Sequence, residues 1–269
     1  MAEKQEQRFR WRLFWLLLVM ALLGALAILP LSLVLQGELL AQTATTPLPL
    51  PMPLLVLIGV AQNGAMLALF VGLGLLLSRK VGLPGVPLLQ GWLEGKSLRG
   101  RLRESALTGT LTGLCVGLAL VLLLIFIFLP LVPRQPATLV AGAAIWKRFL
   151  ACFYGGVVEE ILTRLFFLSL FVWLLNKLLR RRTQGQVSAG VFWVANILVA
   201  IIFGLGHLPI ASLMMKITTA AVVEALLLNA IASLTFGYLY WKRGLETAMF
   251  AHFSADFMLF VIGPIFYRI

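Results

Sequence analysis

Charge is the scarcest commodity in this chain. Only 12% of its 269 residues are charged, 61% are hydrophobic, and the mean hydropathy is +1.00. A soluble domain carries about 25% charged residues, so there is too little polar material here to cover a globule in water. The ten acidic residues include a single aspartate, and the chain has two histidines. Cysteine is nearly absent too. Cys115 and Cys152 both lie in apolar runs without metal-type spacing, which excludes a disulfide framework. No run alternates apolar and polar residues, which excludes an outer-membrane barrel. The net charge of +12 would suit nucleic acid, but the basic residues fall in short clusters between apolar runs. That is the pattern of membrane topology, and no nucleic-acid partner is expected.

What is present is a series of long apolar runs. A helix needs about 20 such residues to span a bilayer. Seven stretches qualify: Leu13–Leu35, Leu54–Leu77, Ser105–Val132, Phe149–Lys177, Val187–Leu208, Ile217–Tyr240 and Leu245–Phe266. The expected fold class is therefore all-α, a polytopic transmembrane helical bundle of about seven spans. One integrated membrane domain is expected, with residues 1–148 as N-terminal helices and basic connection and 149–269 as the functional core. The first run is roughly 23 residues, beyond the 7–15 of a signal peptide, so a retained anchor is expected.

Lys and Arg collect in alternate connections. Lys4, Arg8, Arg10 and Arg12 open the chain, and Ser78–Glu104 holds Arg79, Lys80, Lys96, Arg99, Arg101 and Arg103. Lys177 with Arg180–Arg182, and Lys242 with Arg243, follow on the same side. The opposite side holds few, among them Lys147 and Arg148 in a connection over Thr138–Arg148 that reads as loop or interfacial helix. The positive-inside rule then puts the N-terminus in the cytoplasm and the C-terminus opposite, with Ser78–Glu104 near anionic headgroups of the bilayer. Gly109, Gly113 and Gly117, spaced by four, read as a helix-packing face.

Ionisable groups inside a membrane cost about 2.5–3.5 kcal/mol each on insertion scales and usually mark function. The spans hold Glu159, Glu160, Arg164, His207, Glu224, His252 and Asp256, which include both histidines and the one aspartate. Glu160 and Arg164 stand at i and i+4 with the acid first, the better order for an ion pair. Glu159 points about 100° away and keeps its carboxylate free. Phe203 and His207 share a face, with Asn196 about three turns earlier, and Pro209 is expected to end that helix. His252 and Asp256, again four apart, suit orienting an imidazole, holding a metal or facing an oxyanion. Glu224 either lines a cavity or pairs locally with Asn229. If Trp173, Trp193 and Trp241 mark the cytoplasmic interface, Glu159, His207 and His252 lie about 21, 21 and 16 Å deep, so they are able to converge.

These motifs, Glu159-Glu160-x-x-x-Arg164, Phe203-x-x-x-His207 and His252-x-x-x-Asp256, resemble in order those of the CPBP family of intramembrane proteases. That family includes the Rce-type CAAX prenyl endopeptidases and bacterial Abi proteins. The resemblance covers about Phe149–Phe266. It implies a polar cavity within the membrane and hydrolysis of a peptide bond in a membrane-associated protein or peptide. Glu159 and His207 would activate water there, His252 and Asp256 would stabilise the oxyanion, and Glu160 with Arg164 would support them. The family's last motif position is Asn or Asp; Asp256 would need a proton to donate. No cofactor is favoured, although Glu159, His207, His252 and Asp256 would also make a zinc ligand set. Two other readings stand beside the protease: a non-proteolytic scaffold, assembly or immunity factor within a membrane protein complex, and an ion-coupled transporter, for which paired broken helices are lacking.

Overall fold

The computed structural model describes residues 10–34, 51–132, 142–179 and 187–266. Those residues form helices joined by short connections. In chain order these are α1 (Trp11–Val34), α2 (Met52–Val81), α3 (Pro87–Leu93) and α4 (Arg99–Leu131). Then come α5 (Ile145–Phe153), α6 (Ser169–Leu178), α7 (Ala189–Gly206), α8 (Leu208–Met214), α9 (Thr219–Arg243) and α10 (Leu245–Asp256). Between α5 and α6 the chain stays helical but widens into π turns over Tyr154–Glu159 and Ile161–Leu168. Another π turn, Phe257–Ile262, prolongs α10.

Among the described residues six helices are long and apolar enough to cross a membrane, and the protein is an integral, multi-pass membrane protein. The remaining expected span, Phe149–Lys177, is the continuous helical segment Ile145–Leu178, whose apolarity is interrupted by Glu159, Glu160 and Arg164. Large apolar side chains point outward, as at Leu23, Leu111 and Phe126. In lipid this carries no hydrophobic penalty, so tight interior packing decides how the helices associate.

The packing of α4 on α10 shows how that is achieved. A Cβ on Gly113 would strike the Ala251 carbonyl, and one on Gly109 would meet Thr247 O and Phe250. One on Gly117 would meet Met258 and, at 2.8 Å, Ala255 O. The four-residue glycine spacing is thus a packing face, and it sets the position of the helix bearing His252 and Asp256. A second crossing, α7 on α9, is closed by Asn196. Its Nδ2 donates to Leu234 O (3.0 Å) in the space left by the missing side chain of Gly237.

Two local expectations are corrected. Pro209 does not end its helix: α7 ends at Gly206, His207 forms a turn, and Pro209 sits in the first turn of α8. Proline lacks the N–H that a first turn leaves unpaired, so it starts the short helix. Lys147 and Arg148 belong to α5 and not to a connection, and Arg148 is buried, its Nη1 donating to Phe260 O (3.1 Å). Phe260 lies in the π turn that prolongs α10. The part of the expected Thr138–Arg148 connection at 138–141 lies outside the described residues.

Candidate active site

The site is built where the π-helical stretch meets α7, α9 and α10. Glu160 and Arg164 are both fully buried, and their ion pair forms as the spacing requires, with Arg164 Nη1 3.0 Å from Glu160 Oε1. Arg164 Nη2 donates to Ser233 O on α9 (3.1 Å), while Nη1 also meets Thr163 Oγ1. The rings of Phe203 and Phe236 lie 5.5 and 5.6 Å from the guanidinium carbon. A charge at this depth needs such partners. The carboxylate, the carbonyl and two ring faces replace the water that the guanidinium gives up.

The same Glu160 Oε1 receives His252 Nδ1 at 2.7 Å. A carboxylate accepts, so Nδ1 donates and the imidazole is oriented. Its other nitrogen, Nε2, faces Glu159 Oε2 at 3.6 Å and Asp256 Oδ2 at 3.7 Å. Phe236 and Phe203 also pack on the His252 ring, with centroids at 5.1 and 6.0 Å. His252 is therefore the hub that gathers the three carboxylates. Glu160 is wholly buried, whereas the side chains of Glu159 and Asp256 keep 19% and 14% exposure.

His207 stands apart from this hub. Its Nδ1 is 2.8 Å from Phe203 O, and among the described residues no carboxylate lies within 4.0 Å of its ring. The Phe203 carbonyl only accepts, so Nδ1 carries the proton. In the neutral ring Nε2 then holds the lone pair. The Phe203 ring lies 4.6 Å from the His207 ring and 6.0 Å from the His252 ring, so it packs on both imidazoles.

The other candidates are not gathered. Asn196 is a lock between α7 and α9. Glu224 is buried on α9, about 13 Å along the helix from Ser233. Asn229 donates to Ala225 O (2.8 Å) and not to Glu224. Among the described residues no group of three or more His, Cys, Asp or Glu side chains is placed to hold a metal ion.

One residue with a clear place in the site escaped the sequence reading. A Cβ on Gly155 would collide with Asp256 Oδ2 and come within 3.0 Å of His252 Nε2. The adjacent Gly155-Gly156 pair, one turn before Glu159, is the signal that could have found it. Gly156 leaves room in the same way for Phe253 and Met249 O. Thr163, Ser233 and Phe236, which complete the surroundings of Arg164, are ordinary helix residues in the sequence and carry no such signal.

Residues 141–258 match the family described as type II CAAX prenyl endopeptidase, Rce1-like. The matched segment contains the whole cluster just described, and over that segment the chain is similar to this family of CAAX-type endopeptidases. No curated protein and no solved structure matches the chain.

Proposed function

We propose that this protein is an intramembrane endopeptidase that cleaves a membrane-associated protein, with Glu159 as general base. The observation that carries the reading is the difference between two adjacent acids. Glu160 is sealed off and engaged by Arg164 and His252, while Glu159 stays partly exposed and, among the described residues, has His252 Nε2 as its one ion-pair partner within 4.0 Å. A carboxylate held this way, free of a guanidinium and open to water, is able to take a proton from an attacking water. General-base catalysis of this kind contributes about 10²–10⁴-fold.

His207 would complete the activation. With its proton on Nδ1, its Nε2 accepts a hydrogen bond and helps to hold the water. His252, fixed by Glu160, would present Nε2–H to the oxyanion with Asp256 beside it as the protonated donor. Preorganised donors matter most where bulk water is excluded, and the loss of one costs about 10²–10³-fold. No metal enters these steps. The basic ends of the bundle support an orientation with the N-terminus in the cytoplasm.

The test compares peptide termini in membrane fractions carrying wild-type protein or Glu159→Ala. A terminus present with wild type and absent with the variant is expected. Identical termini in both would overturn the peptidase reading and favour a scaffold.

A further inference from the structure

The end of the bundle that bears α3 lies outside the candidate active site. Here two distant pieces of chain interlock. Glu246, in the first turn of α10, is buried, and its Oε1 accepts from the backbone N–H groups of Leu88 (2.8 Å) and Leu89 (2.9 Å). Leu245 N donates to Gly85 O at 2.9 Å. Between α9 and α10, Gly244 adopts φ +97°, and a side chain there would strike the ring of Pro87. Helix α3 is thus fastened to the start of the helix that carries His252 and Asp256.

The outer side of this fastening is basic and aromatic. Leu88 and Gly91 face inward, whereas Trp92 is 62% exposed. Lys96, Arg99, Arg101 and Arg103 follow, all exposed. The nearby acids do not offset Arg99 and Arg103. Glu94 is taken by Arg10 (3.0 Å) and Lys96 (2.6 Å), and Glu104 by Arg243. Hydrogen bonds from Lys96 and then Gln90 hold the Glu94 carboxyl below its ordinary range, so it stays charged and engaged. Arg99 and Arg103 have no carboxylate within 4.0 Å among the described residues. On the same end Lys80 and Lys177 flank Trp173 (5.3 and 5.4 Å), and Lys242 covers Trp241 (3.6 Å). An exposed tryptophan in the same short segment as arginines that lack carboxylate partners among the described residues has the composition of a headgroup-level surface.

We propose that Trp92, Arg99 and Arg103 bind the phosphate headgroup of an anionic phospholipid, and that Glu246 links this binding to α10. The guanidinium fork suits phosphate oxygens, and the indole seats at the depth of the ester groups. A headgroup that holds the 87–103 segment also steadies the first turn of α10, because Glu246 is bonded to α3 there. His252 follows less than two turns later. The surface does not rest on the peptidase reading, and its test requires no substrate.

The full chain is placed in nanodiscs of phosphatidylcholine alone or with about one third phosphatidylglycerol. Retained lipid is counted by native mass spectrometry, and amide exchange is followed over residues 245–250. Preferential retention of phosphatidylglycerol and slower exchange of α10 in its presence are expected. The double variant R99Q/R103Q should lower the preference roughly twenty-five-fold, at about five-fold per charge. Glu246→Gln should retain the lipid but lose the exchange response. If Glu246→Gln does not fold, the surface double variant, which leaves the interior untouched, should abolish the same response. Equal retention of both lipids, a preference unchanged in R99Q/R103Q, or α10 exchange indifferent to lipid would each overturn the proposal.

Discussion

His252 Nδ1 donates to Glu160 Oε1 at 2.7 Å, the same oxygen that Arg164 approaches at 3.0 Å. One buried oxygen thus joins the ion pair of the π-helical stretch to the imidazole of α10. This divides the two adjacent acids into one that is sealed in the interior and one that stays partly exposed, and the difference is testable.

Glu160→Gln removes the charge that balances the buried Arg164 and the acceptor that orients His252. Removing one partner of a buried ion pair costs about 3–5 kcal/mol. Thermal unfolding in detergent should show this loss. Glu159→Gln, at a partly exposed position without an arginine, should leave the unfolding temperature near wild type while cleavage falls by about 10²–10⁴-fold. Equal destabilisation by the two changes would erase the distinction between them.

Gly155→Ala places a methyl group against Asp256 Oδ2 and His252 Nε2. The two side chains must shift, and displacement by about 1 Å at a reacting centre costs on the order of 10²-fold in rate. Gly190→Ala is the matched control, because nothing lies within 4 Å of a Cβ there. Cleavage should fall only in the first variant. If both variants cleave like wild type, Gly155 has no positioning role.

Gly113→Leu tests the contact that seats α10. The new side chain meets the Ala251 backbone, which does not yield as a side-chain tip would. Overpacking typically costs about 1–3 kcal/mol, and more where backbone is struck. Folded protein recovered by size-exclusion chromatography should drop sharply. Gly100→Ala, with open space around it, should not change the yield.

The sequence revealed membrane spans because length and apolarity are one-dimensional properties. It singled out Glu159, Glu160, Arg164, His207, His252 and Asp256 because ionisable groups are conspicuous against apolar runs. The Glu160–Arg164 pair was legible because it obeys local helix spacing. Which imidazole meets Glu159 was not. That depends on how the π turns at Tyr154–Glu159 and Ile161–Leu168 rotate the acids relative to α7 and α10, and no local spacing encodes it. The burial of Arg148 was hidden for a related reason, since its acceptor, Phe260 O, lies more than a hundred residues away in another π turn. That Asn196 locks a helix crossing was not legible either, because amides line cavities and lock helices equally well, and only its contact at Gly237 separates the two.

His207 offers the sharpest separation of structure from chemistry. Its Nδ1–H holds the Phe203 carbonyl at the turn between α7 and α8. An asparagine amide donates from nearly the same place as Nδ1 but has no counterpart of Nε2. His207→Asn should therefore preserve the turn and the unfolding temperature while removing the acceptor proposed to hold water. His207→Ala removes both, leaves the Phe203 carbonyl without its donor, and should lose about 1 kcal/mol as well. Measured against one substrate terminus, both variants should cleave at least about 10²-fold more slowly than wild type, and only the alanine variant should melt earlier. If the asparagine variant cleaves at the wild-type rate, His207 is a structural residue of the turn, and the activation of water rests on Glu159 without it.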